Sequence, residues 1–420
     1  MKYAAIKKRI DGLIERMGRY LKTDMRYLVA GSFWNIADAV IGGGIAFCTA
    51  IAFANLLPKE VYGTYQYILS GVTLLGLLAL PATKSAIFYA AARNKDGSFI
   101  DAVRTKIKWN FLAAGGAVIV AVYYYFHQNL LLAGAFAIVA FFTPFWEVFG
   151  TYVNYLLGKK RFKEVVFYED AAQLLNAIVI ITIILFTKNV LALLVGFFLS
   201  WSIARIYLFR RVLKKYPPNN ERDPDAVTYG KHLSLMNVIT SLASNLDKLL
   251  LWQLLGPVGV ASYTFALTVP TRATSILTGI NRLYFPKAVN HDLPAIRTVL
   301  VSRVLYLTLA ASVLAGTYAV IAPGFFALFF PKYLESVPYT QALAVLMALQ
   351  PATLFGTALS AHARKKELYI VNIAPAILQI GLFCILIPTM HIWGAVFSIA
   401  LTQLVESALS VALFYRASRS

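Results

Sequence analysis

Apolar blocks of about 20 to 25 residues follow one another along nearly the whole 420-residue chain, and this succession leaves few folds open. VLALLVGFFLSWSIA (190–204) and AILQIGLFCILI (376–387) are two of them. A helix of that length crosses a hydrocarbon core about 30 Å thick. Lipid offers no hydrogen bonds, so a crossing segment must satisfy its own backbone, which a helix does and an open sheet edge does not. Composition agrees: 59% of residues are hydrophobic and 14% charged, where soluble domains run near 45–50% and about 25%. The chain is predicted to be an all-α, polytopic membrane protein.

Blocks bounded by charge or turn signals number about twelve, near 28–53, 61–83, 108–127, 130–157, 165–187, 190–212, 231–255, 258–281, 298–322, 337–361, 368–388 and 392–415. With residues 1–27 placed inside, 35 of the 39 Lys and Arg fall on the inner side, and the outer loops hold only Lys59, Lys188 and Lys332. That asymmetry is the positive-inside pattern and predicts that both termini are cytoplasmic. The net charge of +20 is then a matter of orientation and anionic inner-leaflet lipid, not of nucleic acid. IKKRIDGLIERMGRYL, within 1–27, carries apolar residues at helical spacing. It reads either as a basic amphipathic helix on the inner surface or as a solvated lead-in. Outer connections are too short to house a catalytic domain. Cys48 and Cys384 lie in apolar runs and the five histidines are scattered, so neither a disulfide framework nor a metal site is predicted.

The chain also repeats itself. FGTYVNYLLGKK (149–160) and FGTALSAHARKK (355–366) share FGT-x7-KK at an offset of 206. LLPKEVYGTY (56–65) and LLGPVGVASY (254–263) share their leucine pair and tyrosine at an offset of 198. Two echoes in the same order divide the chain into a six-helix lobe at 28–213, a polar linker at 214–227 and a second lobe at 228–420. Repeats of the same orientation are related by an axis along the membrane normal, and a cavity between two such bundles can open to either side.

FANLLPKEVYGTYQYILSG (53–71) resembles the first outer turn of bacterial polysaccharide flippases, and SNLDKLLLWQLLGP (244–257) is similar to the start of that family's second half. The superfamily also includes multidrug and toxic-compound extrusion transporters and lipid II flippases. One departure is that Gly63 of the first repeat is matched by Ala261 in the second. The resemblance implies a bacterial inner-membrane flippase for an undecaprenyl-pyrophosphate-linked oligosaccharide, acting in O-antigen, capsule or exopolysaccharide assembly. A polysaccharide polymerase and a chain-length regulator would be its partners. No cofactor is implied, and Na+ or H+ enters only as a coupling ion.

Ionised side chains within lipid are costly, so each one inside a span is a candidate for function. Arg272, just after Pro270 in the eighth span, presents a planar fork suited to pyrophosphate oxygens; a structural ion pair with Asp247 is the other reading. Asp247 and Lys248 are adjacent, so about 100° of helix separates them. Lys248 is assigned to the cavity or to the outer interface, and Asp247 to a basic partner on a nearby span. Lys84 and Arg282, near inner span ends, either gather the anionic head group or anchor the helices. Asp38 and Glu147 either bind a coupling cation or form ion pairs. Gly42, Gly43, Gly44 and Pro270 are hinge candidates. Glu169 and Asp170 are assigned to solvent.

Two other functions fit parts of the pattern. A multidrug extruder handles cations and calls for an acidic cavity; the deep charges set Lys248 and Arg272 against Asp38, Asp247 and Glu147, so their sign separates the two readings only weakly. A membrane glycosyltransferase or polymerase needs catalytic residues on a substantial loop, and none stands out. No P-loop is present for ATP-driven export.

Overall fold

A computed structural model describes residues 25–80, 83–223, 226–289, 293–362 and 365–418, with backbone alone at 25–32, 35–36, 226–237, 276–289, 293–296, 361 and 365. Residues 1–24, which carry most of the amphipathic segment, lie outside it. Among the described residues the secondary structure is entirely helical. The first half holds α1 (Met25–Leu56), α2 (Lys59–Leu75), α3 (Thr83–Ala92), α4 (Gly97–Phe126), α5 (Leu130–Trp146), α6 (Tyr152–Gly158), α7 (Phe162–Phe186) and α8 (Val190–Lys215). The second holds α9 (Ala226–Val289), α10 (Leu293–Phe329), α11 (Val337–Leu343), α12 (Val345–Leu349), α13 (Thr353–Ala361), α14 (Lys365–Met390) and α15 (Ile392–Ala417).

Among the described residues nine helices are long and apolar enough to cross a membrane singly, and two bent pairs raise the count to eleven. The twelfth comes from α9. Its 64 residues would reach roughly 96 Å if straight, about three times a hydrocarbon core. Gly256 breaks it, with φ 68° and ψ −165°, a region open essentially to glycine alone. The two arms fold back on each other: the Tyr263 hydroxyl donates to Asp247 Oδ2 at 2.5 Å, although 16 residues of straight helix would hold them about 24 Å apart. A methyl at Gly256 would meet nothing within 4 Å, so Gly256→Ala isolates the backbone effect. It should cost about 1–3 kcal/mol, read as a lowered midpoint of thermal unfolding in detergent. An unchanged midpoint would show that the reversal carries no strain.

One of the two bent pairs sits at a copy of the FGT repeat, and the span that holds the other copy is interrupted by a 3-10 turn. The fourth span carries Pro144 near the end of α5, then a 3-10 turn at Phe149–Thr151, then α6, with a 40° bend overall. The tenth carries a 3-10 turn at Gln350–Ala352, with Pro351 in it, before α13. The first FGT copy is itself the 3-10 turn and the second starts three residues past one; a proline precedes the first turn and lies within the second, where it withholds a backbone donor.

Packing follows lipid rules. Ala113, Ala117 and Ala121 lie one turn apart on α4 and are buried, where small residues let α5 approach closely. Phe111, Ile119, Val122 and Phe126 of the same helix are exposed, as lipid-facing side chains are. The ends of the bundle differ. At the Gly256 end the lobes meet in an aromatic seal, with Tyr62 and Phe265 at 4.8 Å, Phe47 and Phe329 at 5.1 Å, and Tyr67 stacked on Trp252 at 4.3 Å. Asn55 Nδ2 donates to Phe329 O at 2.9 Å, Lys332 Nζ to Asn55 O at 2.7 Å, and Lys59 pairs with Glu335. Gly63 is the tightest point: a Cβ there would fall 1.8 Å from Pro257 O of the other lobe. Its counterpart in the second repeat, Ala261, is fully buried within the apolar cluster.

At the opposite end residues 216–223 strap the interlobe linker to the first lobe. Gly97 N donates to Glu221 O at 2.8 Å, Asp96 N to Asn219 Oδ1 at 2.9 Å and Asp223 N to Ser98 Oγ at 2.6 Å. Arg222 and Asp101 add an ion pair at 3.3 Å.

Candidate functional site

Between the lobes lies a cavity of about 1220 Å³, lined by α1, α2, α7 and α8 on one side and by both arms of α9 with Phe325 of α10 on the other. It exceeds the roughly 300–1,000 Å³ of ordinary small-molecule pockets. The aromatic seal closes it toward the Gly256 end.

Its cations come from the second lobe. Lys248 on the first arm of α9 and Arg272 on the second both line it, and neither is ion-paired among the described residues. Asp247 turns the other way. It is buried, and accepts from the Tyr263 hydroxyl at 2.5 Å and the Lys248 backbone N–H at 2.7 Å. The helical offset thus splits the adjacent charges between cavity and lobe interior. The basic partner expected for Asp247 is replaced by a phenol, which satisfies a buried carboxylate without a second buried charge. Arg272 is exposed, so the structural Arg272–Asp247 pair does not form here.

Two sequence candidates lie elsewhere. Lys84 is off the cavity wall and pairs with Glu147 at 3.3 Å, and Lys106 reaches the same carboxylate at 3.6 Å. Lys106 is fully buried and also donates to Ala79 O at 3.2 Å. Glu147 is therefore the hub of an ion cluster inside the first lobe, where Arg205 stacks over Trp146 and Trp201. The head-group role expected for Lys84 gives way to this pairing, because Glu147 lies within its reach and the cavity does not. The side chain of Arg282 lies outside the described residues.

The hinge candidates do not bend. Apart from Gly256, α9 keeps helical angles through Pro270, and α1 is continuous through Gly42, Gly43 and Gly44. Gly42 serves close approach instead, since a Cβ there would lie 3.1 Å from Asp170 Oδ1 and 3.3 Å from Gln173 Oε1. Asp38, one turn earlier, is exposed and lines the cavity. Asp170 is 7% exposed rather than solvated, and neither of its oxygens has a hydrogen-bond partner among the described residues. Glu169 accepts from the Tyr152 hydroxyl at 2.7 Å. Asp170, Gln173 and Asn176 were readable as a set: spacing of three places them along one side of a helix, and DAAQLLN (170–176) interrupts an otherwise apolar span.

Solved structures share this architecture. An outward-facing multidrug resistance MATE-family transporter of the MOP superfamily superposes with a TM-score of 0.65 at 13% identity, over 94% of this chain and 95% of that one. An inward-facing one gives 0.63 at 15%, over 93% and 96%. A MOP-superfamily transporter from Pyrococcus furiosus, described by the reversed polarity of its binding pocket, gives 0.57 at 14%, over 94% and 96%. No curated protein matches the chain. At 13–15% identity the likeness is one of fold: two lobes around a central cavity, as in those MOP-superfamily transporters. Residues 28–289 match the model of the polysaccharide biosynthesis protein family, and the chain belongs to that family.

Proposed function

We propose that the protein is a flippase that carries a polyprenyl-pyrophosphate-linked oligosaccharide from the cytoplasmic to the outer leaflet by alternating access. The observation that carries this reading is the pairing of Lys248 and Arg272 on one cavity wall. Two cations facing one space suit a pyrophosphate, and the guanidinium fork suits its oxygens. The barrier removed is desolvation of a charged, sugar-bearing head group on its way through hydrocarbon; the polyprenyl tail stays in lipid. The membrane is a bacterial inner membrane. Lys59, Lys188 and Lys332, the sparse basic residues of one face, put the Gly256 end outside, so the sealed end is the outer one. A polysaccharide polymerase and a chain-length regulator take the cargo there.

Energy enters through the first lobe. Asp38 on the wall and the orphaned Asp170 behind Gly42 form a site for H+ or Na+, since an unpaired buried carboxylate gains most from a cation.

A cation-extruding reading draws support from the same two carboxylates. It is disfavoured because the wall's formal charge is positive: Lys248 and Arg272 against Asp38.

Arg272→Ala should insert at normal levels yet lose surface polysaccharide in a flippase-deficient strain, by tenfold or more if one charge-assisted pair of about 1.5–3 kcal/mol is lost. Arg272→Lys should recover only part, which separates fork geometry from charge. Full complementation by the alanine variant at matched expression would remove Arg272 from the mechanism.

A further inference from the structure

The cavity walls differ in hydrogen-bonding sense as well as in charge. Every amide on the cavity wall comes from the first lobe: Gln66 on α2, and Gln173 and Asn176 on α7. Each NH2 group already donates to protein, that of Asn176 twice and those of Gln66 and Gln173 once. Gln173 Nε2 donates to Gly42 O at 2.8 Å, and Asn176 Nδ2 to Phe197 O at 3.3 Å and to Ser200 Oγ at 2.7 Å. A backbone carbonyl can only accept, so these bonds fix which end of each amide is nitrogen. Gln66 Nε2 donates to the Tyr62 hydroxyl at 2.9 Å. Among the described residues the oxygens of these three amides accept no hydrogen bond, so they remain acceptors on the wall that also carries the Asp38 carboxylate. The facing wall supplies Lys248 and Arg272, which only donate, together with the hydroxyls of Thr264, Thr268, Thr271 and Ser275, whose protons go to carbonyls of their own helix.

An ionised pyrophosphate has no proton to give and is repelled by a wall of acceptors. A sugar ring differs: each hydroxyl has a proton to donate as well as lone pairs that accept, and it carries no charge to desolvate. We infer that the cavity is divided, with the pyrophosphate held on the second-lobe wall and the first sugars of the head group held on the first-lobe wall by the oxygens of Gln66, Gln173 and Asn176. The inference rests on the flippase reading and adds to it a sugar subsite on the lobe that lacks cavity cations. The division lets the site separate a glycan-bearing carrier from the bare lipid pyrophosphate, because only the former engages both lobes. It also gives the cargo a grip on each half of the transporter.

Purified full-length protein in nanodiscs, titrated with undecaprenyl pyrophosphate with and without a single N-acetylhexosamine, tests this. Wild type should bind the sugar-bearing probe about tenfold more tightly, as two to three neutral hydrogen bonds allow. Gln173→Met with Asn176→Leu should abolish that advantage while leaving the affinity for the bare probe unchanged, which also shows that the variant is folded. Gln66→Met, on a separate helix, should reduce it severalfold and provides the same reading if the double variant does not fold. Arg272→Ala should weaken both probes to the same degree. A sugar advantage that persists in the amide variants overturns the inference and leaves the flippase intact, as does equal binding of both probes by wild type. Failure of wild type to bind either probe sinks the flippase reading, and this inference with it.

Discussion

Gly63→Ala should yield a protein that folds as two normal lobes but no longer holds its Gly256 end shut. The added Cβ would stand 1.8 Å from Pro257 O and 2.5 Å from Pro257 C, far inside van der Waals contact, and backbone cannot swing aside as a side chain can. The overlap lies between lobes, so the relief is to separate them. Parting loosens the Tyr62–Phe265, Phe47–Phe329 and Tyr67–Trp252 contacts, each worth about 0.5–1.5 kcal/mol beyond area burial. Losing all three, about 1.5 kcal/mol or more, shifts a two-state equilibrium by about tenfold or more. A cysteine placed at Thr264 in a protein lacking Cys48 and Cys384 reports the change. An impermeant maleimide added from the Gly256 side should label it slowly in the parent and at least tenfold faster with Gly63→Ala. Equal rates would mean that the contact at Pro257 does not set the closed state.

Glu147→Leu should destabilise the first lobe by about 3–5 kcal/mol, the usual cost of stripping the partner from a buried charge. The burden falls on Lys106, which is fully buried and retains only the Ala79 carbonyl. Lys84, at 38% exposure, can turn toward solvent and so suffers less. Adding Lys106→Met should recover most of the loss, since removing both charges removes the desolvation debt. Thermal unfolding of the two single variants and the double variant measures the coupling. If the double variant is no more stable than Glu147→Leu alone, the cluster is not held by this pair.

The fold was largely written in the pattern of hydropathy. Span length, the basic asymmetry and the two echoes suffice for twelve crossings in two lobes, because each follows from the bilayer rather than from packing detail. The reversal at Gly256 was visible as a glycine and proline between two apolar runs. The site was legible in part. Lys248 and Arg272 stood out because charge in lipid is expensive, and both line the cavity. What one chain does not write is which partner a charge finds. Lys84 and Glu147 are 63 residues apart, and their meeting depends on how three helices rotate about their axes. Asp170 looked solvated because it sits near a span end next to Glu169, and only the approach of α1 at Gly42 buries it. The amides of α7 escaped notice because neutral polar residues carry little insertion cost.

The strap from Tyr216 to Asp223 belongs mechanically to the first lobe, stitched as it is to Asp96, Gly97 and Ser98. Any swing of the second half must therefore start beyond Asp223, close to where α9 begins at Ala226. The covalent leash between the halves is much shorter than the linker sequence suggests, which keeps them at high effective concentration. A cut inside the strap would leave both stubs anchored or adjacent, whereas a cut after it would turn reassembly into a search through the bilayer.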